Sequence, residues 1–400
     1  MKISQINVNF GFGSTGIIVR DLQKLCKKEG IECEVVYAQS NGNATPTDTY
    51  RMGCLFSNKL HALLSRISGK QGYFSVLSTC RLLRHFDSYK PDIIHLHNLH
   101  SCYISLPLIM KYAAKKNIAV IVNHHDCWFY TGGCCHYSAV RCFKWKESCG
   151  NCPARKSINA LLFDGTKKML ADRYRLFNNI TNLTSIGVSQ WITDEAKKSV
   201  FKNARSVAIH NGINTDFFHP VNSDLRKKHN LEGKFVILAP ANKWFLDINR
   251  ETFDYFASHI TDDMRMVFIG SGTDESRLTD RMINIGFVSS REEIREIFSA
   301  CDVMVNCTRE ESLSLLNVEV QSCGTPVVTY SNTGVKETVD GKCGFAVENG
   351  NPIAAWNAMM EIKAKGKSYY LKACQLWAKQ EFDKDTNYKK YIDLYKSIVL

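Results

Sequence analysis

The chain has 400 residues, 44% hydrophobic and 22% charged, an ordinary composition for a globular protein that excludes a disordered or fibrous chain. At about 100–200 residues per domain, this length favours two domains. Lys and Arg total 51 against 39 Asp and Glu, and the net charge of +12 favours polyanions, phosphorylated substrates or anionic membranes as partners.

Export and membrane-spanning signals are not found in the sequence. No uninterrupted apolar stretch approaches the roughly 18–20 residues that a membrane-spanning helix needs. Residues 1–5 lack the apolar core of a signal peptide, and we expect them to open a first strand. With no export signal, the 16 cysteines favour reduced thiols in a cytoplasmic protein.

The first half alternates short apolar strands with helical patterns. Strands are predicted at 3–8, 33–38, 92–96 and 118–122, and a helix at 14–28 follows the first of them. Such alternation predicts a parallel, doubly wound α/β sheet.

The second half repeats this pattern, which predicts a second sheet of the same kind. Its strands are predicted at 235–239, 266–269, 302–306 and 326–329, after a last first-half strand at 207–209. Ser290 and Glu293, at capping-box spacing, predict a helix start. We therefore predict an N-terminal domain at 1–205 with a cysteine-rich insert at 127–153, a C-terminal domain at 206–375, and a terminal helix at 376–400 that packs back on the N-terminal domain.

A glycine-rich loop, Gly11–Gly16, follows the first strand and has the form G-x-G-x-x-G. Its glycines let the backbone approach a ligand, and the helix that follows attracts phosphate. The second strand ends at Gln39 and Ser40 without the acid that a dinucleotide site uses to bind ribose. We favour a phosphate-facing loop, with a plain tight turn and an NAD site as the alternatives.

Two glutamates, Glu311 and Glu319, precede a Gly-Thr-Pro sequence that begins at Gly324. On one continuous helix they would be about 80° apart. One glutamate in a loop and one inside the following helix explains the spacing better. Ser312 and Ser314 would then lie at the helix start, where backbone N–H groups are free. The alternative is a pair of surface carboxylates on a binding domain.

This segment resembles the signature of the retaining nucleotide-sugar glycosyltransferases of the GT-B fold, family 4, E-x7-E followed by A-C-G-T-P-V-V. Glu311, Glu319 and residues 322–328 fit that signature. The chain is most similar to bacterial polysaccharide enzymes of the colanic-acid and O-antigen type, which share the His-Asp-Cys-Trp run at 125–128 and a cysteine-rich insert. The resemblance implies a GT-B fold of two facing, doubly wound Rossmann-like domains with a central cleft.

The resemblance also implies roles for individual residues. His125 would lie beside the transferred sugar and Glu311 would contact it, which makes these two the candidate catalytic residues. Glu319 would bind the ribose hydroxyls of the donor. A buried structural histidine is the alternative at 125, and His124 competes for its role. Further donor contacts would come from Gly13, Gly16 and Gly270 and from the backbone of Ser312, Leu313, Ser314 and Leu315.

One stretch departs from the family pattern. Relatives usually carry an Arg and a Lys for the diphosphate a few residues after the first strand of the second domain, where this chain has Asp247 and Ile248. Lys243 or Arg250 would have to substitute for them. The alternatives are weak donor binding, an unusual donor, or a degenerate transferase that binds without catalysis.

The cysteine-rich insert contains Cys134, Cys142, Cys149 and Cys152, and the last two form a C-x2-C half-site. Four thiols in a reducing compartment predict a tetrahedral structural zinc ion, with disulfides or unligated thiols as alternatives. The resemblance implies no catalytic metal.

We expect a cytoplasmic enzyme, peripheral at the inner face of the plasma membrane. Its partners would be a nucleotide diphosphate sugar and a glycan on a polyprenyl diphosphate, with no nucleic acid. The stretch 49–86, which has six Lys and Arg but no Asp or Glu, would face the membrane, and the alternative is a solvated helix face.

Two rival functions remain open. The glycine-rich loop Gly11–Gly16 would suit an NAD-dependent oxidoreductase, and the cysteines together with Lys144–Lys146 would suit a zinc-containing nucleic-acid-binding protein.

Overall fold

The computed structural model describes residues 1–40, 47–156 and 161–399. The chain forms two compact units. The first consists of Met1–Ile209 and the residues from Tyr388 onward, and the second is His210–Asn387. This division lies four residues after the boundary predicted at 205/206. The helix predicted at 376–400 is in fact parts of two helices that meet at Asp383, and only its residues from Tyr388 onward belong to the first unit.

The first unit contains a seven-stranded parallel sheet and a small two-stranded one. Its strands are β1 Lys2–Ile6, β2 Asn9–Phe10, β3 Glu32–Tyr37, β4 Gln39–Ser40, β5 Thr49–Arg51, β6 Ile93–Leu96, β7 Ala119–His124, β8 Leu183–Gly187 and β9 Arg205–Ala208. Its helices are α1 Gly13–Lys28, α2 Leu55–Ser68, α3 Val76–Tyr89, α4 Leu106–Lys116, α5 Thr166–Asn178 and α6 Gln190–Lys197, with short 3₁₀ turns at Trp128–Tyr130 and Lys144–Lys146. The main sheet has the order β5-β3-β1-β6-β7-β8-β9.

The second unit contains a six-stranded parallel sheet of order β12-β11-β10-β13-β14-β15. Its strands are β10 Phe235–Pro240, β11 Met264–Ile269, β12 Met282–Gly286, β13 Val303–Asn306, β14 Val327–Tyr330 and β15 Gly344–Val347. Its helices are α7 Leu225–Lys228, α8 Ala241–Trp244, α9 Arg250–His259, α10 Arg291–Ala300, α11 Leu315–Ser322, α12 Pro352–Lys365 and α13 Lys367–Phe382, with 3₁₀ turns at Asp247–Asn249, Glu275–Arg277 and Thr333–Thr338. The last helix, α14 Lys384–Val399, belongs to the first unit from Tyr388 onward.

The strands predicted from apolar runs are confirmed, each within two residues of its observed ends. All of β6 and β7 is buried, as expected for parallel strands covered on both faces. The Ser290 hydroxyl accepts a hydrogen bond from the Glu293 N–H (3.2 Å), which confirms that this serine caps α10. The sequence patterns did not indicate β8, because Thr184 and Ser185 interrupt its apolar run although both are buried.

Helix α14 contributes to the core of the first unit. Tyr391 and Tyr395 are fully buried and pack in one apolar cluster with Ile3, Ile93 and Ile121 of the central strands. The chain end is therefore part of the sheet's packing, and its tyrosines form hydrogen bonds with residues of β7 and β6 that precede them by 268 and 300 positions.

The loops that follow β6, β7 and β13 carry the candidate residues. In an open parallel sheet, loops at the carboxyl ends of neighbouring strands lie along one edge, where ligands bind. In the first unit this edge brings together His97 and His125, and in the second unit it carries Glu311.

Candidate active site

In the second unit, Glu311 lies in the loop between β13 and α11, and Glu319 lies inside α11, as the spacing predicted. The Thr333 hydroxyl donates to the Glu311 carbonyl (2.7 Å) and so holds the loop. Glu311 Oε2 and Ser312 Oγ are buried and have no hydrogen-bond partner among the described residues. An unsatisfied buried polar atom costs about 1–3 kcal/mol, so a ligand hydroxyl would relieve both.

The start of α11 is held by a buried amide network. Asn306 Nδ2 donates to Asn317 Oδ1 (2.7 Å) and to Ser314 Oγ (3.2 Å), and Asn317 Nδ2 donates to Thr338 Oγ1 (2.9 Å). Ser314 precedes the helix, but its side chain does not cap it. The first backbone N–H groups of α11 therefore have no side-chain acceptor, and they can bind an oxygen of a ligand.

Glu319 has an unusual acidity. Burial raises the pKa of its carboxyl to about 7, and the positive charge of Arg291 opposes this shift. The carboxyl therefore changes its charge near neutral pH, unlike an ordinary surface glutamate.

Residues next to Asp247 and Ile248, where the chain departs from the family pattern, form hydrogen bonds that hold the Glu311 loop in place. Asn249 is fully buried, and its Nδ2 donates to the carbonyls of Lys243 and Cys307, both at 2.9 Å. Arg309 Nε donates to Asn249 Oδ1 (2.6 Å) and Arg309 Nη2 donates to the Ile248 carbonyl (2.9 Å). Arg309 and Asn249 belong to no motif in the sequence, and only the structure reveals this brace.

The two candidate cations near this stretch have different surroundings. Lys243 lies close enough to the end of β13 that its charge opposes the burial-driven rise in the pKa of Cys307. Arg250 is exposed at the start of α9 and lines a shallow surface depression with Asp247 and Glu251. Lys243 is thus half-buried near the end of β13, whereas Arg250 faces solvent. Gly270 follows β11 with a φ of 94°, a backbone conformation that favours glycine.

In the first unit, His125 directly follows β7 and is held on one side by polar groups. Its Nε2 lies 3.0 Å from His97 Nδ1 and 3.1 Å from Asn123 Nδ2. The Tyr391 hydroxyl on α14 donates to Asn123 Oδ1 (2.8 Å), which turns the Asn123 amide nitrogen toward His125. The motifs pointed to His125 but not to Asn123 or Tyr391.

These contacts define the proton state of His125. Burial lowers its pKa to about 4, and the charge of Asp126 opposes this shift only in part, so the imidazole is neutral at neutral pH. Asn123 Nδ2 lies 3.1 Å from Nε2 and 3.5 Å from Nδ1 of this ring. A neutral imidazole has one N–H donor and one acceptor nitrogen, so His125 can form a hydrogen bond with a ligand oxygen without carrying a charge.

His124 has a different environment from His125. It is completely buried, its Nε2 lies 2.9 Å from Ser185 Oγ, and its ring packs edge-on against Phe201. These are the contacts of a core residue, so the structure favours His125 over His124 as a site residue.

The glycine-rich loop leads into α1, which begins at Gly13. Gly13 is exposed and has a φ of 62°. Gly16 is buried, and a Cβ atom there would lie 3.1 Å from Asn9 Cβ. Gly16 thus permits close packing of α1 on the preceding loop, while Gly13 and Ser14 stand at the exposed helix start, where a phosphate would bind.

The four cysteines proposed as zinc ligands line one small cavity. They are Cys134, Cys142, Cys149 and Cys152, and Trp145 shares the lining. In the part of the chain that the structure describes, the only group of three potential ligand atoms within 4.8 Å of one another is elsewhere, at His100, Asp126 and Cys135. Zinc binding by the four cysteines stays a prediction.

The segment Lys144–Lys146 was the hint of nucleic-acid binding in the sequence. Trp145 is almost fully buried, which leaves Lys144–Lys146 no exposed indole for stacking on bases.

Comparison with known proteins identifies the class of enzyme. Residues 15–217 match the sequence family described as Glycosyltransferase Family 4, and residues 243–364 match the one described as Glycosyl transferases group 1. The chain is 23% identical over 369 residues to the putative colanic acid biosynthesis glycosyl transferase WcaC of Escherichia coli K12, a match that covers 87% of each chain.

Solved structures show the same fold at lower identity. HepE from Anabaena, in complex with UDP, aligns with a TM-score of 0.68 at 16% identity, covering 99% of this chain and all of that one. WaaG, a glycosyltransferase involved in lipopolysaccharide biosynthesis, aligns with a TM-score of 0.64 at 11% identity, covering 98% of this chain and 99% of that one. Together with the two parallel sheets and the matched sequence families, these likenesses show that the chain belongs to glycosyltransferase family 4 and has the GT-B fold.

Proposed function

We propose that this glycosyltransferase moves a sugar from a nucleoside diphosphate donor to a glycan carried on a polyprenyl diphosphate, in the synthesis of a bacterial surface polysaccharide. The observation that carries the donor site is the pair of unsatisfied buried oxygens at Glu311 and Ser312, beside the uncapped start of α11. The UDP bound to HepE and the colanic acid role ascribed to WcaC support the donor class and the pathway.

The proposed reaction exchanges one bond at the anomeric carbon of the sugar. The bond to the diphosphate oxygen breaks, the bond to the acceptor oxygen forms on the same face, and the acceptor proton passes to a diphosphate oxygen. Backbone N–H groups at the start of α11 and the Lys243 ammonium would stabilise the leaving diphosphate. The His125 imidazole and the Glu311 carboxylate would each hold a hydroxyl of the sugar, so the residues proposed here supply orientation and charge.

The test of this function is turnover by the purified full chain. UDP- and GDP-sugars are first screened for thermal stabilisation, because a ligand that binds the folded form raises its stability. The stabilising donor is then incubated with polyprenyl-diphosphate glycans, and the product's anomeric configuration is determined by NMR. A donor that stabilises the protein without any transfer or hydrolysis would contradict the catalytic role, and no stabilisation by any donor would contradict the donor class.

Donor affinity should depend on pH through Glu319. A carboxylate accepts the ribose hydroxyls best when ionised, and the pKa of Glu319 is about 7. Binding at lower pH must release a proton, so affinity should fall by up to about tenfold per pH unit below the pKa and level off above it. Calorimetric titration with UDP between about pH 6 and pH 8 measures this trend. The Glu319→Gln variant should show no such slope, and an equal slope in that variant would exclude Glu319 as the cause.

A surface in the first unit supports the membrane location. Within the described residues, no helix has the length and apolar character needed to cross a bilayer. Helix α2, however, is oriented with its polar residues inward, since it buries His61 and Ser65. Its apolar side chains face solvent, with exposed fractions of 77% at Phe56, 46% at Leu60 and 53% at Leu63. A helix that exposes its apolar side suits a lipid interface.

Neighbouring residues extend this apolar surface. Leu162 and Phe163 are more than 60% exposed, and the Leu162 N–H donates to the Arg66 carbonyl on α2 (2.9 Å). A Cβ at Gly69 would lie 2.2 Å from the Phe163 carbonyl oxygen, so glycine at 69 permits this contact. The side chains of Arg51, Lys59, Arg66, Arg81 and Arg84 are exposed in the same acid-free stretch. Each basic residue adds about 1 kcal/mol of attraction to an anionic leaflet.

Removing this apolar surface should abolish membrane binding. The test variant replaces Phe56, Leu60 and Leu63 by serine, and the control variant makes the same change at Phe287, Ile353 and Leu376, which are 77%, 54% and 49% exposed in the second unit. Each lost side chain removes about 1.5 kcal/mol or more of apolar burial, so vesicle affinity should fall at least about 100-fold. The readout is flotation with phosphatidylglycerol-containing vesicles. Equal flotation of the test and control variants would exclude α2, and wild-type protein that does not float would exclude the membrane location.

The four-cysteine zinc site is part of the proposal. Thiolates of Cys134, Cys142, Cys149 and Cys152 lining one cavity are a ligand set that zinc accepts, and four such ligands leave no open position, which assigns this zinc a structural role. No catalytic metal is proposed. Loss of one bound zinc in a Cys142→Ser variant, measured by elemental analysis of the purified chain, would support the site.

A further inference from the structure

We propose that His100, Asp126 and Cys135 form a second metal site, which takes zinc or a similar borderline transition-metal ion and differs from the four-cysteine cavity. One ligand atom from each residue lies within 4.8 Å of the other two. Imidazole nitrogen, carboxylate oxygen and thiolate sulfur are a mixed donor set that zinc accepts, whereas calcium and magnesium prefer oxygen alone. Three protein ligands leave a fourth position open to water or another oxygen.

The contact between His100 and Asp126 points to a shared third partner. His100 Nε2 lies 3.1 Å from Asp126 Oδ2, and this buried nitrogen has no partner other than that carboxylate among the described residues. With zinc bonds of about 2.0–2.1 Å to nitrogen and oxygen, two tetrahedral ligand atoms are separated by about 3.3 Å. The observed separation is therefore close to that of two ligands of one ion.

The backbone around the triad places its side chains. The Trp128 N–H donates to Asp126 Oδ1 (2.8 Å), so Oδ2 is left to face His100. The Cys127 N–H donates to the Cys135 carbonyl (2.8 Å), which ties the cysteine to the loop that carries Asp126. The fold thus brings three residues to one point: His100 follows β6, Asp126 follows β7, and Cys135 lies in the cysteine-rich segment.

Charge and access also suit a divalent ion. When an ion displaces the proton of the Cys135 thiol, the resulting thiolate and the Asp126 carboxylate would together carry a charge of −2, which would balance the ion in a low-dielectric setting. All three residues are half-buried, which leaves a path for the ion to enter. Because Asp126 follows His125 directly, an ion here would anchor the loop that presents the proposed catalytic histidine. This inference concerns metal content and holds whether or not the proposed transfer reaction is correct.

The test measures zinc in the purified full chain by elemental analysis, with no activity readout. His100→Ala and Cys135→Ser should each contain one zinc fewer than the wild type. The control variant, Cys80→Ser, removes a partly exposed cysteine outside both groups and should keep the wild-type content. Cys142→Ser reports on the four-cysteine cavity alone, so the two sites are counted separately. Wild-type zinc content in His100→Ala would overturn the proposal and leave an ordinary His–Asp ion pair.

A second measurement does not depend on how well the variants fold. Native wild-type protein is alkylated with iodoacetamide before and after removal of metal by a chelator, and Cys135 is followed by mass spectrometry. A zinc-bound thiolate reacts slowly, so labelling of Cys135 should increase several-fold after chelation and fall again when zinc is restored. Labelling of Cys135 that increases after chelation and does not fall when zinc is restored would overturn the site, because zinc would then not be the group that protects this thiol.

Discussion

Replacing His125 by alanine should lower kcat by about 100- to 1,000-fold, the usual cost of removing one preorganised donor from a site where charge develops. The expected cause is the loss of a ring N–H donor beside the transferred sugar, because a neutral imidazole has one such group and the contacts with His97 and Asn123 hold the ring in place. A neutral imidazole donates without carrying charge into a buried position, and the lowered pKa of His125 keeps it neutral. The measurement is steady-state kinetics with the donor identified by thermal stabilisation.

The matched control for this variant is His219→Ala, which removes an exposed histidine of the second unit. It should keep wild-type kcat. Thermal unfolding separates a catalytic effect from a folding effect, because His125→Ala should remain folded if its only loss is a donor. A folded His125→Ala protein with wild-type kcat would remove His125 from the mechanism.

Replacing Glu311 by alanine should lower kcat/KM for the donor by about 10- to 150-fold, since charged hydrogen-bonding groups contribute about 1.5–3 kcal/mol each. The reason is the buried Oε2 atom, which has no partner among the described residues and is free for a sugar hydroxyl. The free enzyme should tolerate the change or gain stability, because the unsatisfied atom is removed. Kinetics and thermal unfolding of the same preparation test both expectations.

Glu292→Ala is the control for Glu311→Ala, because Glu292 is an exposed carboxylate on α10 of the same unit. It should leave donor kinetics unchanged. If Glu311→Ala retained full activity, Glu311 would be a structural carboxylate, and the proposed donor site at the start of α11 would lose its main support.

The exposed apolar surface of α2 could not be predicted from the sequence. The acid-free stretch at 49–86 was visible as a charge pattern, but a solvated helix face remained an alternative. Apolar residues in a helical pattern normally predict a buried face, and Phe56, Leu60 and Leu63 would be assigned to the core on that basis. Only the packing of α2 reveals that His61 and Ser65 face inward instead.

Local sequence patterns were sufficient to predict two parallel sheets, nine of the strands to within two residues, and the loop–helix arrangement of Glu311 and Glu319. These features follow from local apolar periodicity and from motifs whose spacing is short, so neighbouring residues are sufficient to define them. The family resemblance rests on the same short segments, and the matches at 15–217 and 243–364 confirm it.

Which side chains support the site depends on contacts between residues far apart in the sequence. Tyr391 orients Asn123 from 268 positions along the chain, and Arg309 braces the Glu311 loop through Asn249, 60 positions away. His100 meets Asp126 only because the ends of β6 and β7 are adjacent in the sheet. Such contacts depend on the order of strands and the path of the last helix, which no local pattern encodes, because long-range packing places residues together regardless of their separation in sequence.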